Sequence, residues 1–91
     1  MSYSIVITDV YKKRLKKFLI KHPDMFGRYE KAMIILEIDP HHPSLRLHKL
    51  QGNLHEYFSV SINMKYRIVI DFIMKEGQII PIDIGNHGEV Y

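Results

Sequence analysis

The chain contains no cysteine. Disulfides and thiolate metal sites are therefore excluded, and a reducing cytosol is the natural setting for such a sequence. Long apolar runs are also missing. No stretch approaches the length of a membrane span, so the sequence predicts no association with a membrane. The opening Met1-Ser2-Tyr3-Ser4 passes straight into a strand-like segment without a preceding basic region, unlike a secretory signal peptide. There is no internal repeat, no linker and no low-complexity tract. What is present is ordinary for a folded protein: 46% hydrophobic and 25% charged residues, which together argue against disorder. At 91 residues, one domain spanning 1–91 is expected.

The formal charge is +3 and the isoelectric point about 9.2, a mild basic excess. Its distribution says more than its size. Lys12, Lys13, Arg14, Lys16, Lys17 and Lys21 fall in one short stretch. Such a run serves a solvated helix face, or a surface that contacts phosphates.

Periodicity divides the chain into elements. Tyr3 to Ile7 reads as a short strand. Thr8 or Asp9 can cap the helix that follows, because their side-chain oxygens accept from free N–H groups of the first turn. Tyr11, Leu15, Phe18 and Leu19 then recur at helical spacing. His22-Pro23-Asp24 breaks the helix, because proline has no N–H and disfavours helical conformation in its predecessor. A second helix is expected from about Asp24 to Ile38. Met25, Tyr29, Ala32, Met33 and Leu36 form its apolar stripe, and Ile34, Ile35 and Ile38 widen it, so much of the helix should be buried. Asp39-Pro40-His41-His42-Pro43 ends it.

The remainder reads as strands. Leu45 to Leu50 is one. Tyr57 to Asn63 alternates, with Phe58, Val60 and Ile62 on one side and Tyr57, Ser59 and Ser61 on the other. After a turn near Asn63-Met64-Lys65, Tyr66, Ile68, Ile70 and Phe72 continue the apolar face. Lys75-Glu76-Gly77 is a hairpin turn, and Ile79 to Ile84 is the last strand. Pro81 within it requires an edge, a bulge or a later start. The order strand, two helices, then three or four strands is an α+β fold, β-α-α-β-β-β(-β), with both N-terminal helices on one face of a small, mostly antiparallel sheet.

The second face of that sheet must be solvated or bind something. Alternation places Arg46, His48, Tyr57 and Arg67 on it. His87 and Tyr91 follow the last strand, in a glycine-containing tail able to turn back over the sheet. This set suits RNA cleavage without a metal or other cofactor. Histidine exchanges protons near neutrality. The planar fork of arginine matches phosphate oxygens. Tyrosine stacks on a base or donates a proton. Duller roles exist for each: an incidental strand histidine, a surface ion pair at Arg67, a terminal aromatic packing on the core. The adjacent His41 and His42 are weak grounds for a metal site without further ligands. His22 and His55 carry no assignable role.

Three segments also carry a family pattern: Leu47-His48-Lys49-Leu50-Gln51-Gly52-Asn53-Leu54; Tyr57 to Ile62 followed by Tyr66-Arg67-Ile68-Val69; and Ile84-Gly85-Asn86-His87-Gly88-Glu89-Val90-Tyr91. Together they resemble the RelE/ParE toxin superfamily, in particular the branch containing YafQ and YoeB. The resemblance implies a ribosome-dependent endoribonuclease that cuts mRNA and is held in check by an antitoxin in a toxin–antitoxin hetero-oligomer. It implies His48 as general base, Arg67 as stabiliser of the transition-state phosphate, and His87 and Tyr91 as the C-terminal histidine and aromatic of the catalytic set. It further implies RNA contacts by Tyr66, Arg46, Tyr57 and Lys49, and by Lys13 and Lys17 of the first helix. The sequence departs from the YafQ pattern at Ser61 and Lys65, where some members carry a histidine and an acid, and at Glu56, where glycine is common. The superfamily also includes ParE toxins, which inhibit DNA gyrase and lack the cleavage set, and catalytically inactive members.

Overall fold

The computed structural model describes residues 3–50, 57–73 and 76–86. Its elements run β1 (Ser4–Ile5), α1 (Asp9–Lys21), α2 (Phe26–Ile38), β2 (His48–Lys49), β3 (Tyr57–Ser61), β4 (Tyr66–Ile73) and β5 (Gln78–Asn86). The strands form one sheet in the order β1-β5-β4-β3-β2. Among the described residues, only the β1–β5 pairing is parallel. Two helices packed on a mostly antiparallel sheet make this an α+β fold.

Thr8, rather than Asp9, caps α1: its hydroxyl accepts from the backbone N–H of Tyr11 at 3.1 Å. Pro23 begins a 3-10 turn that separates the helices, so α2 starts at Phe26, two residues later than the spacing suggests. Tyr11 and Phe18 of α1 are buried, as are Tyr29, Ala32 and Leu36 of α2. They pack against Val60, Ile68, Ile70, Phe72, Ile79 and Ile84 of the sheet. Tyr11 and Tyr29 meet inside this core through their hydroxyls, 2.9 Å apart.

The expected burial of Ile34 and Ile38 needs correction, since they are 57% and 63% exposed. Ala32 and Leu36 face the sheet, and a residue two positions away on a helix points roughly 200° around its axis. Ile35 is partly buried and does pack on the core.

The expected strand from Leu45 also contracts. Pro43–Leu45 is a 3-10 turn, and Arg46 follows it with left-handed backbone, φ 47° and ψ 48°. A strand cannot pass through that conformation. Leu45 is buried in the core, and β2 begins only at His48. His42 caps this turn: its Nδ1 lies 3.1 Å from the Ser44 backbone N–H and 2.8 Å from the Ser44 hydroxyl.

Asn63 shapes the β3–β4 connection by accepting from the backbone N–H groups of Lys65 and Tyr66. Glu76 and Gly77 precede β5, and Gly77 sits at φ 63°, where glycine is favoured. Lys75 lies outside the described residues. Pro81 produces a bulge: Val69 pairs with Asp83 and Ile70 with Pro81, leaving Ile82 as the extra residue. Arg14 donates to the Ile82 carbonyl at 3.0 Å, tying α1 to the bulge.

Candidate functional site

Strand register assigns each side chain to a face. His48 pairs with Ser59, Ser59 with Val69, and Ser61 with Arg67. Cross-strand partners share a face, so His48, Tyr57, Ser59, Ser61, Arg67 and Val69 lie opposite the helices. Sequence alternation anticipated this for His48, Tyr57 and Arg67.

Arg67 is the centre of the arrangement. Its Nε donates to the Ser59 hydroxyl. Its Nη2 donates to the Arg46 carbonyl at 3.0 Å and lies 3.1 Å from Nδ1 of His48. His48 Nδ1 is also 3.3 Å from that carbonyl. A guanidinium only donates, so its contact with Nδ1 requires the ring nitrogen to accept, leaving the proton on Nε2. In the other tautomer Nδ1–H donates to the Arg46 carbonyl and Nε2 becomes a base. Both neutral forms of His48 therefore have a partner, and a base beside a fixed cation is the pairing that proton transfer next to a phosphate requires.

Arg46 belongs to the site through its carbonyl, which its left-handed backbone turns toward Arg67. Its exposed side chain makes no hydrogen bond to another described residue. Ser59 and Ser61, expected on an open polar face, are 0% and 6% exposed. Ser59 lies beneath the guanidinium, and the Ser61 hydroxyl donates to the Asn63 carbonyl.

Four expected RNA contacts stand elsewhere. Tyr66 is corrected most clearly. It lies on the helix side of the sheet and is 7% exposed. It packs on Phe18 and His22, and its hydroxyl meets His22 Nδ1 at 3.2 Å. Adjacent strand residues point to opposite faces, so Tyr66 and Arg67 cannot both face one ligand. The same contact gives His22 a role in packing that sequence alone did not assign. Lys49 pairs with Phe58, so it is exposed on the helix side of the edge strand rather than beside His48. Lys13 and Lys17 are exposed on α1, in the helix layer across the sheet from Arg67. His87, Tyr91, His55 and Glu56 lie outside the described residues.

Among the described residues, no group of three or more His, Asp or Glu side chains could hold a metal. No described helix is long and apolar enough to cross a membrane. Among the described residues the shifted ionisations are in the core: burial raises Tyr11 and Tyr29 above the ordinary tyrosine value.

Solved structures share this architecture. A chain of the E. coli DinJ-YafQ toxin–antitoxin complex superimposes with a TM-score of 0.78 at 17% identity, over 100% of this chain and 99% of that one. The chain has the RelE/YafQ fold. A chain of the archaeal RelE-RelB complex from Pyrococcus horikoshii gives a TM-score of 0.73 at 20% identity, over 99% and 100% of the two chains. A copper-bound mutant toxin from Helicobacter pylori gives 0.74 at 19%, over 98% and 99%. No family model matches the sequence, and no curated protein matches it.

Ser59 and the Arg46 carbonyl are the partners of Arg67 that sequence reasoning missed. Alternation already put Ser59 on the Arg67 face. The left-handed turn at Arg46 carries no glycine or asparagine to announce it.

Proposed function

We propose that this chain is the toxin of a toxin–antitoxin pair, a single-domain endoribonuclease that cuts mRNA on the ribosome in the cytoplasm. The observation that carries this reading is the pairing of His48 and Arg67, 3.1 Å apart on the face of the sheet away from the helices. A gyrase inhibitor has no use for a base beside a phosphate-binding cation. Neighbours of the same fold crystallised as the RelE-RelB and DinJ-YafQ complexes support an antitoxin as the partner.

In the proposed reaction His48 takes the tautomer whose Nδ1–H donates to the Arg46 carbonyl, and the 2′-hydroxyl of one nucleotide loses its proton to the free Nε2 and attacks the adjacent phosphorus. Arg67 stabilises the charge that accumulates on the phosphate oxygens. The bond to the 5′-oxygen breaks, and that oxygen gains a proton, a task that falls to His87 by family resemblance. The products are a 2′,3′-cyclic phosphate and a 5′-hydroxyl, and no metal or cofactor enters the balance. In this reading Tyr57, which shares the Arg67 face, contacts a base, and Tyr91 completes the set by resemblance.

Induction of the chain in bacteria tests the reading. Wild type should arrest growth with cuts in translated mRNA, while Arg67→Ala, expressed to the same level, should leave growth and mRNA intact. Arrest with intact mRNA would overturn the nuclease and point to a target such as gyrase.

A further inference from the structure

Arg67 is held more tightly than a surface arginine needs to be. Two of its three guanidinium nitrogens are anchored. Nε donates to a serine hydroxyl that is 0% exposed. Nη2 donates to the Arg46 carbonyl, with the Ser59 carbonyl 3.5 Å away. Nη1 makes no hydrogen bond to any described residue. An arginine carries five N–H groups in one plane. Fixing the edge that runs from Nε to Nη2 leaves the two N–H groups of Nη1 as the arm available to an anion.

The conformation of Arg46 points the same way. Positive φ is uncommon outside glycine and costs free energy. Arg46 is the described non-glycine residue that adopts it. This backbone presents its carbonyl to Nη2 and brings the same oxygen within 3.3 Å of His48 Nδ1.

We propose that Ser59 is a positioning residue: with the Arg46 carbonyl it fixes the guanidinium of Arg67 in the plane that aims Nη1 at a phosphate oxygen. Ser59 does not touch substrate. Its effect on cleavage rests on the function proposed above, whereas its hold on Arg67 exists in the free protein. The two can therefore fail separately.

The test uses the purified, isotope-labelled chain and two readouts. The first is exchange of side-chain Nε–H protons with water. In wild type the Arg67 Nε–H should exchange at least about tenfold more slowly than that of Arg28, exposed on α2, because exchange requires the hydrogen bond to open. Ser59→Ala should bring Arg67 to the Arg28 rate, and Ser59→Thr should keep it slow. The second is cleavage of ribosome-bound mRNA. Ser59→Ala should lower kcat by about tenfold to a hundredfold with KM within about twofold, and Ser59→Thr should recover most of the rate. Equal exchange at Arg67 in folded wild type and Ser59→Ala overturns the proposal, whatever the cleavage result. Protection lost in Ser59→Ala without any cleavage by wild type upholds the positioning and overturns the nuclease. Where Ser59→Ala does not fold, Ser59→Cys preserves the volume with a weaker acceptor. Faster exchange in that variant supports the anchor, and unchanged exchange refutes it.

Discussion

Both faces of the sheet bury residues, by different means. On the helix side, Tyr66, Ile68, Ile70 and Phe72 are all at most 9% exposed and contact other apolar groups. On the opposite side, Ser59, Ser61 and Val69 are 0%, 6% and 5% exposed, yet the groups around them include a guanidinium, a histidine and a left-handed backbone carbonyl. One face is held by non-directional packing. The other is held by directional hydrogen bonds to a charge, which fix geometry more than they add stability. Substitutions on the first face should therefore act through folding, and on the second through chemistry.

The largest expected effect is on the packed face. Ile68→Ala should lower the free energy of unfolding by about 3 kcal/mol, because it empties a fully buried site. Urea denaturation measures this, and a loss below about 1 kcal/mol would mean that the core is looser than its burial implies. Arg67→Ala should cost about 1–2 kcal/mol, chiefly by leaving the buried Ser59 hydroxyl without that donor, and should abolish cleavage. Unfolding of this variant would merge the two faces into one cooperative unit and break the comparison.

The buried tyrosine pair sharpens the contrast through pH. Burial, the larger cause for both, raises Tyr11 and Tyr29 above the ordinary value of 10.0. A raised folded-state value means that the folded protein keeps its protons where the unfolded chain releases them. Stability from this source is full below about pH 10 and declines as pH rises further. Tyr11→Phe should shift the onset of alkaline unfolding upward while costing about 1 kcal/mol at neutral pH. An unchanged onset would assign alkaline unfolding to other groups.

The smallest effect concerns Tyr66. Tyr66→Phe removes the hydroxyl that meets His22 and should cost about 1 kcal/mol or less, with no change in cleavage. A folded Tyr66→Phe that had lost cleavage would return Tyr66 to the site and contradict its placement on the helix side.

Much of the fold is legible in the sequence because its signals are local. The alternation of Phe58, Val60, Ile68 and Ile70 shows which face meets the helices, and Pro23 separates α1 from α2. The same alternation brings His48 and Arg67 to one face, although they are far apart in sequence. Other features depend on what a segment packs against. Ile34 and Ile38 read as core because isoleucine is apolar, but a helix resting on one sheet buries only one stripe. Pro81 requires some irregularity, and only pairing with β4 makes it a bulge at Ile82. The role of Ser59 was hidden for a similar reason: a serine on a strand reads as solvent-facing until a neighbouring arginine covers it.

The central claim is that the face built around His48 and Arg67 cleaves RNA. Its most direct test is incubation of the purified chain with ribosomes carrying a defined mRNA, in the presence of a metal chelator, followed by chemical identification of the new RNA ends. Cleavage that leaves a 2′,3′-cyclic phosphate, persists with the chelator and disappears in both Arg67→Ala and His48→Gln is the result predicted. Intact mRNA, or cleavage at the wild-type rate in those two variants, would contradict it.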